Sequence, residues 1–290
     1  MDTLTHGLFG YTLYRASKKE EMPVNMKRSL LVTAMVGSQI PDIDVLSQLT
    51  ETGRMMEQMW HRGLTHSVFL VPFWALLIYG LCRWLFKVRD RKIFYLAMLA
   101  VFIHDTIDLF NAWGTGYFEP FSSVRITFGT IPIIDFVFWA IFLTGFIVSK
   151  IKKSLPGFKV YRWIALAMLI HFSLQTLQGF WVEHEAKERF DRTELAATFV
   201  PWQFQVIGKK GNRVEIYRDS VWSEPKQQAT LVSSEDSDLK PLLNQNPRAK
   251  VLLQWSPFVV VVDDEERLGI FDPRFYRNGE SFVAEYIHKK

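Results

Sequence analysis

Four short stretches of this 290-residue chain set histidine beside aspartate, or place paired aspartates, inside or next to strongly apolar sequence. They are Asp2-Thr3-Leu4-Thr5-His6, Pro41-Asp42-Ile43-Asp44, His61-Arg62-Gly63-Leu64-Thr65-His66 and His104-Asp105-Thr106-Ile107-Asp108. An ionisable side chain at membrane depth costs about 2.5–3.5 kcal/mol on insertion scales, so such residues are rare there and mark function. Imidazole and carboxylate together are the ligand set of zinc, manganese or iron. The chemistry these residues point to is a membrane-embedded site for one to three divalent metal ions, zinc foremost. Its candidate ligands are His6, Asp42, Asp44, His61, His66, His104 and Asp108.

The spacings give each stretch a different task. In His104-x-x-x-Asp108 the two side chains stand one helical turn apart on one face and can reach one cation. Asp105 points to another face, as a hydrogen-bond acceptor for a ligating histidine or as a general base. Pro41 ends an apolar helix and presents Asp42 and Asp44 on a turning backbone, a pair able to bridge two ions or to hold one and orient water. His61 and His66 do not share a helix face, but Gly63 permits a turn that converges them. Arg62 between them offers a planar guanidinium suited to a phosphoryl or carboxylate group. Asp2 and His6 are again four apart. His171, near Gln175 and Gln178, reads as a buried hydrogen-bonded residue, and His184 and His288 as solvated.

Other hydrolytic routes find no support. There is no Gly-x-Ser-x-Gly elbow, Walker loop or dinucleotide glycine pattern, and the single cysteine, Cys82, lies in an apolar run without a nearby base. One cysteine also excludes a disulfide framework and a thiolate zinc site. Metal-activated water remains, with Arg62, Asp44 and Asp105 as the candidate catalytic residues.

The elements that must position these groups are apolar helices. Segments 68–86, 93–110, 131–149 and 160–180 are each close to the roughly 20 residues that cross a bilayer as a helix. Segments 3–14 and 29–40 are apolar but shorter, the length of helices that flank a site without crossing. Lys and Arg gather in 15–28, 83–92 and 150–162, while 43–66 and 111–130 hold only Arg54, Arg62 and Arg125. By the positive-inside rule the first three face the cytoplasm and the other two face outward. Threaded this way, every candidate ligand arrives at the outer membrane face. No cleavable signal peptide is evident, since the first residues carry Asp2 and His6 without a basic region.

The composition agrees with a divided chain. Hydrophobic residues make up 49% and aromatic residues 15%, yet the mean hydropathy is only +0.05. Apolar runs end near residue 185, and short alternating segments follow at 204–207, 213–217, 251–254, 259–262 and 282–287 between Gly, Asn and Pro turns. The expected architecture is therefore a mainly α multi-pass helical bundle over 1–184 and a small antiparallel β domain over 185–290 on the extracytoplasmic side. The formal net charge of +4 comes from the basic clusters at the ends of apolar runs, which membrane topology explains better than a nucleic-acid partner.

Over residues 1–150 these motifs, with Pro120-Phe121-Ser122, occur in the order that resembles the YdjM-like family. Its members are described as membrane-bound metal-dependent hydrolases, some labelled LexA-binding. The resemblance implies a multi-pass membrane protein with a metal-dependent hydrolytic site and supplies no substrate. The β-like tail lies outside it, and a LexA contact would need a cytoplasmic face to which none of the motifs points. The expected activity is hydrolysis of an ester or phosphoester, with membrane lipids as surroundings and an amphiphilic or lipid-linked molecule as substrate. The rival readings are a scaffold or regulator with a structural metal, whose β domain binds an unidentified partner protein, and a divalent-metal transporter.

Overall fold

The computed structural model describes residues 1–289, in two compact units. The first comprises Met1–Asp44, Arg62–Thr127 and Ile131–Thr176; the second comprises Val45–His61, Phe128–Thr130 and Leu177–Lys290.

The helices in chain order begin with α1 (Thr3–Ala16) and α2 (Val24–Gly37), followed by the short α3 (Glu51–Met55) and α4 (Glu57–Trp60) of the second unit. Next come α5 (Val71–Phe86), α6 (Arg91–Asp108), α7 (Phe136–Ile151) and α8 (Gly157–Lys187). In the first unit α2 is the hub, packing against α1, α5 and α6. Small residues make the crossings close, as expected where packing rather than water exclusion joins helices. A Cβ on Gly10 would lie 2.4 Å from Ser38 Oγ and 2.6 Å from the Ala34 carbonyl, and one on Gly37 would lie 2.9 Å from Ala100 Cβ. Around these contacts Leu30, Ala75, Ile78, Ala97 and Val101 form one apolar core; Phe138, Tyr161, Ile164 and Met168 of α7 and α8 form another.

Helix ends are written in the sequence. Asp2 caps α1 by accepting from Thr5 N, Asp90 caps α6, and Asp135 caps α7 by accepting from Val137 N and Phe138 N. After Gly37 the chain bends by 53° into a 3-10 segment, Ile40–Leu49. Pro41 sits at the bend, where it has no N–H to continue the ladder.

Four crossing segments were expected; among the described residues two helices are long and apolar enough to cross a membrane, Val68–Phe86 and Gly157–Lys187, with a third if the bent pair Val24–Gly37 and Ile40–Leu49 counts as one. The 131–149 segment falls short because Asp135 caps its helix and leaves 16 residues. The 93–110 segment is an 18-residue helix, but it carries Arg91, Lys92, Asp105 and Asp108.

In the second unit β1 (Arg192–Ala197), β2 (Phe204–Lys210), β3 (Arg213–Ser220) and β4 (Ser223–Val232) form a four-stranded antiparallel meander. After α9 (Lys240–Gln245) and α10 (Pro247–Trp255), β5 (Val260–Asp263) and β6 (Arg267–Phe271) pair antiparallel. The hairpin β7 (Tyr276–Arg277) and β8 (Glu280–Ser281) follows, and β9 (Ala284–His288) completes a three-stranded sheet in the order β5-β6-β9. Asn278 and Gly279, both at positive φ, make the two-residue turn of that hairpin. The antiparallel β tail is therefore present, with one correction: 251–254 is helical. Asn246 caps the helix from Arg248 N, Pro247 opens it, and Ala249, Leu252 and Trp255 are buried at a spacing of three. Strands β1, β4, β6 and the short β7 and β8 were not expected; β4 is almost wholly exposed and has no apolar alternation to reveal it.

Beneath the sheets Asp272 and Arg274 are buried as an ion pair of 2.6 Å, with Ser256 Oγ donating to Asp272 at 2.6 Å. Glu194 of β1 lies near this pair. Burial raises its pKa from 4.5 to about 7; Arg274 opposes the rise and Asp272 adds to it.

Two outcomes follow for stability. Gly10→Ala is expected to lower the unfolding midpoint of the detergent-purified protein, overpacking costing about 1–3 kcal/mol. Gly80→Ala, where a Cβ meets nothing within 4 Å, should leave the midpoint unchanged. Because folded Glu194 holds its proton more tightly than the unfolded chain does, its contribution to stability falls as pH rises from about 4.5 to about 7. Midpoints measured across that window should decline less in Glu194→Gln than in the parent.

Candidate metal centre

The start of α1, the bend after α2, the segment before α5 and the last turns of α6 meet at one end of the first unit. His66 Nε2 lies 3.2 Å from His104 Nε2, 3.3 Å from Asp42 Oδ1 and 3.7 Å from Asp108 Oδ2. His104 Nε2 lies 3.6 Å from Asp42 Oδ1. His6 joins from α1, with Nε2 3.2 Å from Asp108 Oδ1 and its ring stacked on that of His104 at 3.8 Å. Asp42, His66, His104 and Asp108 thus form a group able to hold a metal ion, three of them buried.

Two features test whether a cation fits. His104 Nδ1 is 2.8 Å from the Ser38 carbonyl, which only accepts, so Nδ1 carries the proton and Nε2 turns its lone pair into the cluster. Two Nε2 atoms at 3.2 Å need a proton or a cation between them. Ligands tetrahedrally placed at about 2.0–2.2 Å from a metal are separated by about 3.3–3.6 Å, and the 3.2–3.7 Å separations here match that edge. The second feature is Asp105. It is fully buried, and neither carboxylate oxygen has a hydrogen-bond partner among the described residues. A desolvated carboxylate left without a donor is costly unless a proton or positive charge compensates it.

Asp44 stands behind His66. Its Oδ2 accepts from Arg62 N at 2.7 Å and Thr65 Oγ at 2.9 Å, and lies 3.4 Å from His66 Nδ1. Burial alone would lower the His66 pKa, but its hydrogen bonds with Asp42 and Asp44 raise it to about 9 in the absence of a cation. Proton and metal therefore compete for Nε2.

Arg62 adopts the left-handed conformation, φ 59°, which is unusual outside glycine. Its N–H is held by Asp44, and its carbonyl accepts from Gly116 N at 2.7 Å. The buried guanidinium is aimed inward, with Nε 3.1 Å from Asp108 Oδ2 and Nη2 donating to the Met1 carbonyl at 3.2 Å. The Met1 amino group also contacts Asp108.

Of the sequence-derived ligands, the first unit thus brings together His6, Asp42, His66, His104 and Asp108, with Asp44 behind them. His61 caps α4 and belongs to the second unit. Asp105, expected to accept from a histidine, accepts no hydrogen bond among the described residues. His171 pairs with Asp135 at 2.9 Å inside the bundle, and His184 and His288 are exposed. The sequence reading missed the Ser38 carbonyl and Thr65. A main-chain acceptor has no residue signature; Thr65, next to His66 in the same motif, could have been noted as a partner for Asp44.

Fold and site define a mainly helical protein with apolar helices of membrane-crossing length and a buried His/Asp cluster able to hold a cation. Residues 1–182 match the family model described as YdjM inner membrane protein, and the chain belongs to that family. It is 32% identical over 143 residues to "Uncharacterized protein YfhP" of Bacillus subtilis (strain 168), a match covering 48% of this chain and 43% of that protein. The chain thus spans less than half the length of this curated relative. No solved structure matches.

Asp44→Asn should weaken metal affinity about 10- to 100-fold, as loss of a carboxylate behind a ligating histidine does. Competition with a chromophoric chelator measures this, and unchanged affinity would remove Asp44 from the metal-binding role.

Proposed function

We propose that the chain is a multi-pass membrane hydrolase whose cluster holds one or more divalent metal ions, zinc foremost, and which cleaves an ester or phosphoester of an amphiphilic substrate. The observation that carries the reading is the convergence of His6, Asp42, His66, His104 and Asp108 from four separate segments on one point, with the Nε2 atoms of His66 and His104 facing each other. A divalent cation held there supplies Lewis-acid polarisation and lowers the pKa of water at an open position. A mixed imidazole and carboxylate set without thiolate suits zinc, with manganese and iron as the nearest competitors.

The surrounding residues divide the remaining work. Arg62 Nη1 is buried without a hydrogen-bond partner among the described residues, free to stabilise negative charge developing on a substrate oxygen. Asp105, with no donor of its own, is the group placed to hold and move a proton. Asp44 is engaged by Arg62, Thr65 and His66, so it positions rather than transfers.

Asp42 is 23% exposed while His66, His104 and Asp108 are closed off, which opens the cluster at one corner. An opening supports catalysis over the scaffold reading, since structural sites are closed. Transport would need ligands continuing along the bundle, where His171 is instead paired with Asp135 and packed against Phe138. The cluster lies at the helix ends opposite Arg15, Lys27, Arg83, Arg91 and Lys150, which supports an extracytoplasmic site by the positive-inside rule. An interfacial site of that kind receives an amphiphile directly from the bilayer.

The test is metal content of protein purified in detergent without chelators, alongside turnover of p-nitrophenyl phosphate and bis-p-nitrophenyl phosphate. Stoichiometric metal in the parent, lost in His66→Ala and Asp108→Ala together with turnover, is the expected result. Arg62→Gln should keep its metal and lose about 10²- to 10³-fold in kcat. A metal-free parent, or full metal in both ligand variants, would overturn the shared site; metal without turnover of any ester would leave the scaffold reading.

A further inference from the structure

The second unit contains a cavity unrelated to the cluster. It has a volume of about 490 Å³ and lies between one face of the β1–β4 sheet, the turn joining β1 to β2 and the turn of the β7–β8 hairpin. That volume falls in the range of small-molecule sites, about 300–1,000 Å³. Its lining is half polar and includes Arg218, Arg277 and Gln205 but no carboxylate.

The basic groups here are not explained by the fold. Arg218 stands directly opposite Lys226 in the β3–β4 ladder, a like-charge pairing that weakens a sheet. No carboxylate forms an ion pair with Arg218, Lys226 or Arg277 among the described residues. Arg277 lies opposite Glu280 in its hairpin, yet its guanidinium is placed over the ring of Phe199, 5.4 Å from the centroid. Gln205, opposite Arg218 on the other side, adds an amide that reaches the Tyr276 carbonyl at 3.4 Å. Two guanidinium groups, Arg218 and Arg277, lining one concave surface that holds no carboxylate form an anion site, and such a pair suits the bidentate geometry of phosphate.

The rim is as unusual as the floor. Phe199, Val200 and Trp202, consecutive but for Pro201, are 48%, 56% and 41% exposed on the β1–β2 turn. Exposed aromatic and apolar side chains beside a basic pocket are the combination that takes a molecule with one charged and one greasy end.

We propose that this cavity binds a phosphoryl group carried on an apolar body, Arg218 and Arg277 holding the phosphoryl oxygens and Phe199 and Val200 the apolar part. The site is independent of the metal cluster and lies outside the 1–182 family match.

Titration calorimetry on the detergent-purified full chain tests it, with dioctanoyl phosphatidic acid, dioctanoyl phosphatidylcholine and glycerol 3-phosphate as probes. Each probe is run on the parent, on His66→Ala to remove binding at the cluster, on Arg218→Gln/Arg277→Gln, and on the exposed control Arg248→Gln. Phosphatidic acid should bind the parent, His66→Ala and Arg248→Gln alike, bind the double variant at least tenfold more weakly, and exceed phosphatidylcholine. Matching thermal melts show that the double variant is folded. Weakening of the lipid but not of glycerol 3-phosphate by Phe199→Ser assigns the phosphoryl group to a lipid. Equal binding of both probes, unaffected by Phe199→Ser, assigns it to a soluble phosphate and removes the apolar rim from the site. Unchanged affinity in the folded double variant, loss of binding in His66→Ala, or no heat above the detergent blank would overturn the proposal.

Discussion

The first unit depends on how it compensates charge that it has removed from water. Asp105 and Asp108 are fully buried on the last turns of an apolar helix, beside His6, His66 and His104, each 1% exposed or less. Burying ions costs several kcal/mol apiece, and only close opposite charge and complete hydrogen bonding offset it. Asp108 has such partners in Arg62, His6 and the Met1 amino group, whereas neither oxygen of Asp105 has a hydrogen-bond partner among the described residues. The cluster is thus an incompletely neutralised set of carboxylates and imidazoles enclosed by helices.

The helices answer this constraint with small residues and breaks rather than with polar surfaces. Close approach at Gly10 and Gly37 draws α1 and α6 onto α2, bringing His6 and His104 close enough to stack. The bend at Pro41 then turns Asp42 and Asp44 back towards them, and the left-handed residue Arg62 inserts its guanidinium between Asp108 and the Met1 carbonyl. The bend at Pro41 and the left-handed Arg62 therefore lie at positions that complete the cluster, as expected where strain is retained for function.

Much of this was legible because it rests on residue type and spacing. His104 and Asp108 share a helix face by periodicity, Gly63 and Pro41 announce turns, and charge asymmetry aligns the helix ends. What remained hidden was geometry without a sequence signature: the Ser38 carbonyl, the positive φ of Arg62, and the lack of a donor to Asp105 among the described residues. In the tail, alternation revealed β2, β3, β5 and β9, but β4 offers no apolar pattern because both its faces are largely exposed. The 251–254 run misled for the opposite reason. Val251, Leu252 and Leu253 are consecutive apolar residues, and only the Asn246-Pro247 start identifies them as helix.

The acceptor that orients His104 is a helix's own terminal carbonyl, one of the groups that every helix leaves unpaired at its end. No side-chain exchange at Ser38 can delete it. The tautomer of this histidine is in that sense encoded by where α2 stops rather than by which residue stands there. The tautomer is consequently indifferent to the chemistry of the side chain at position 38, whose size the close approach of Gly10 limits, and sensitive to lengthening: inserting a residue into α2 would rotate the last carbonyl by about 100° around the helix axis and take the acceptor away while every ligand remained in the sequence.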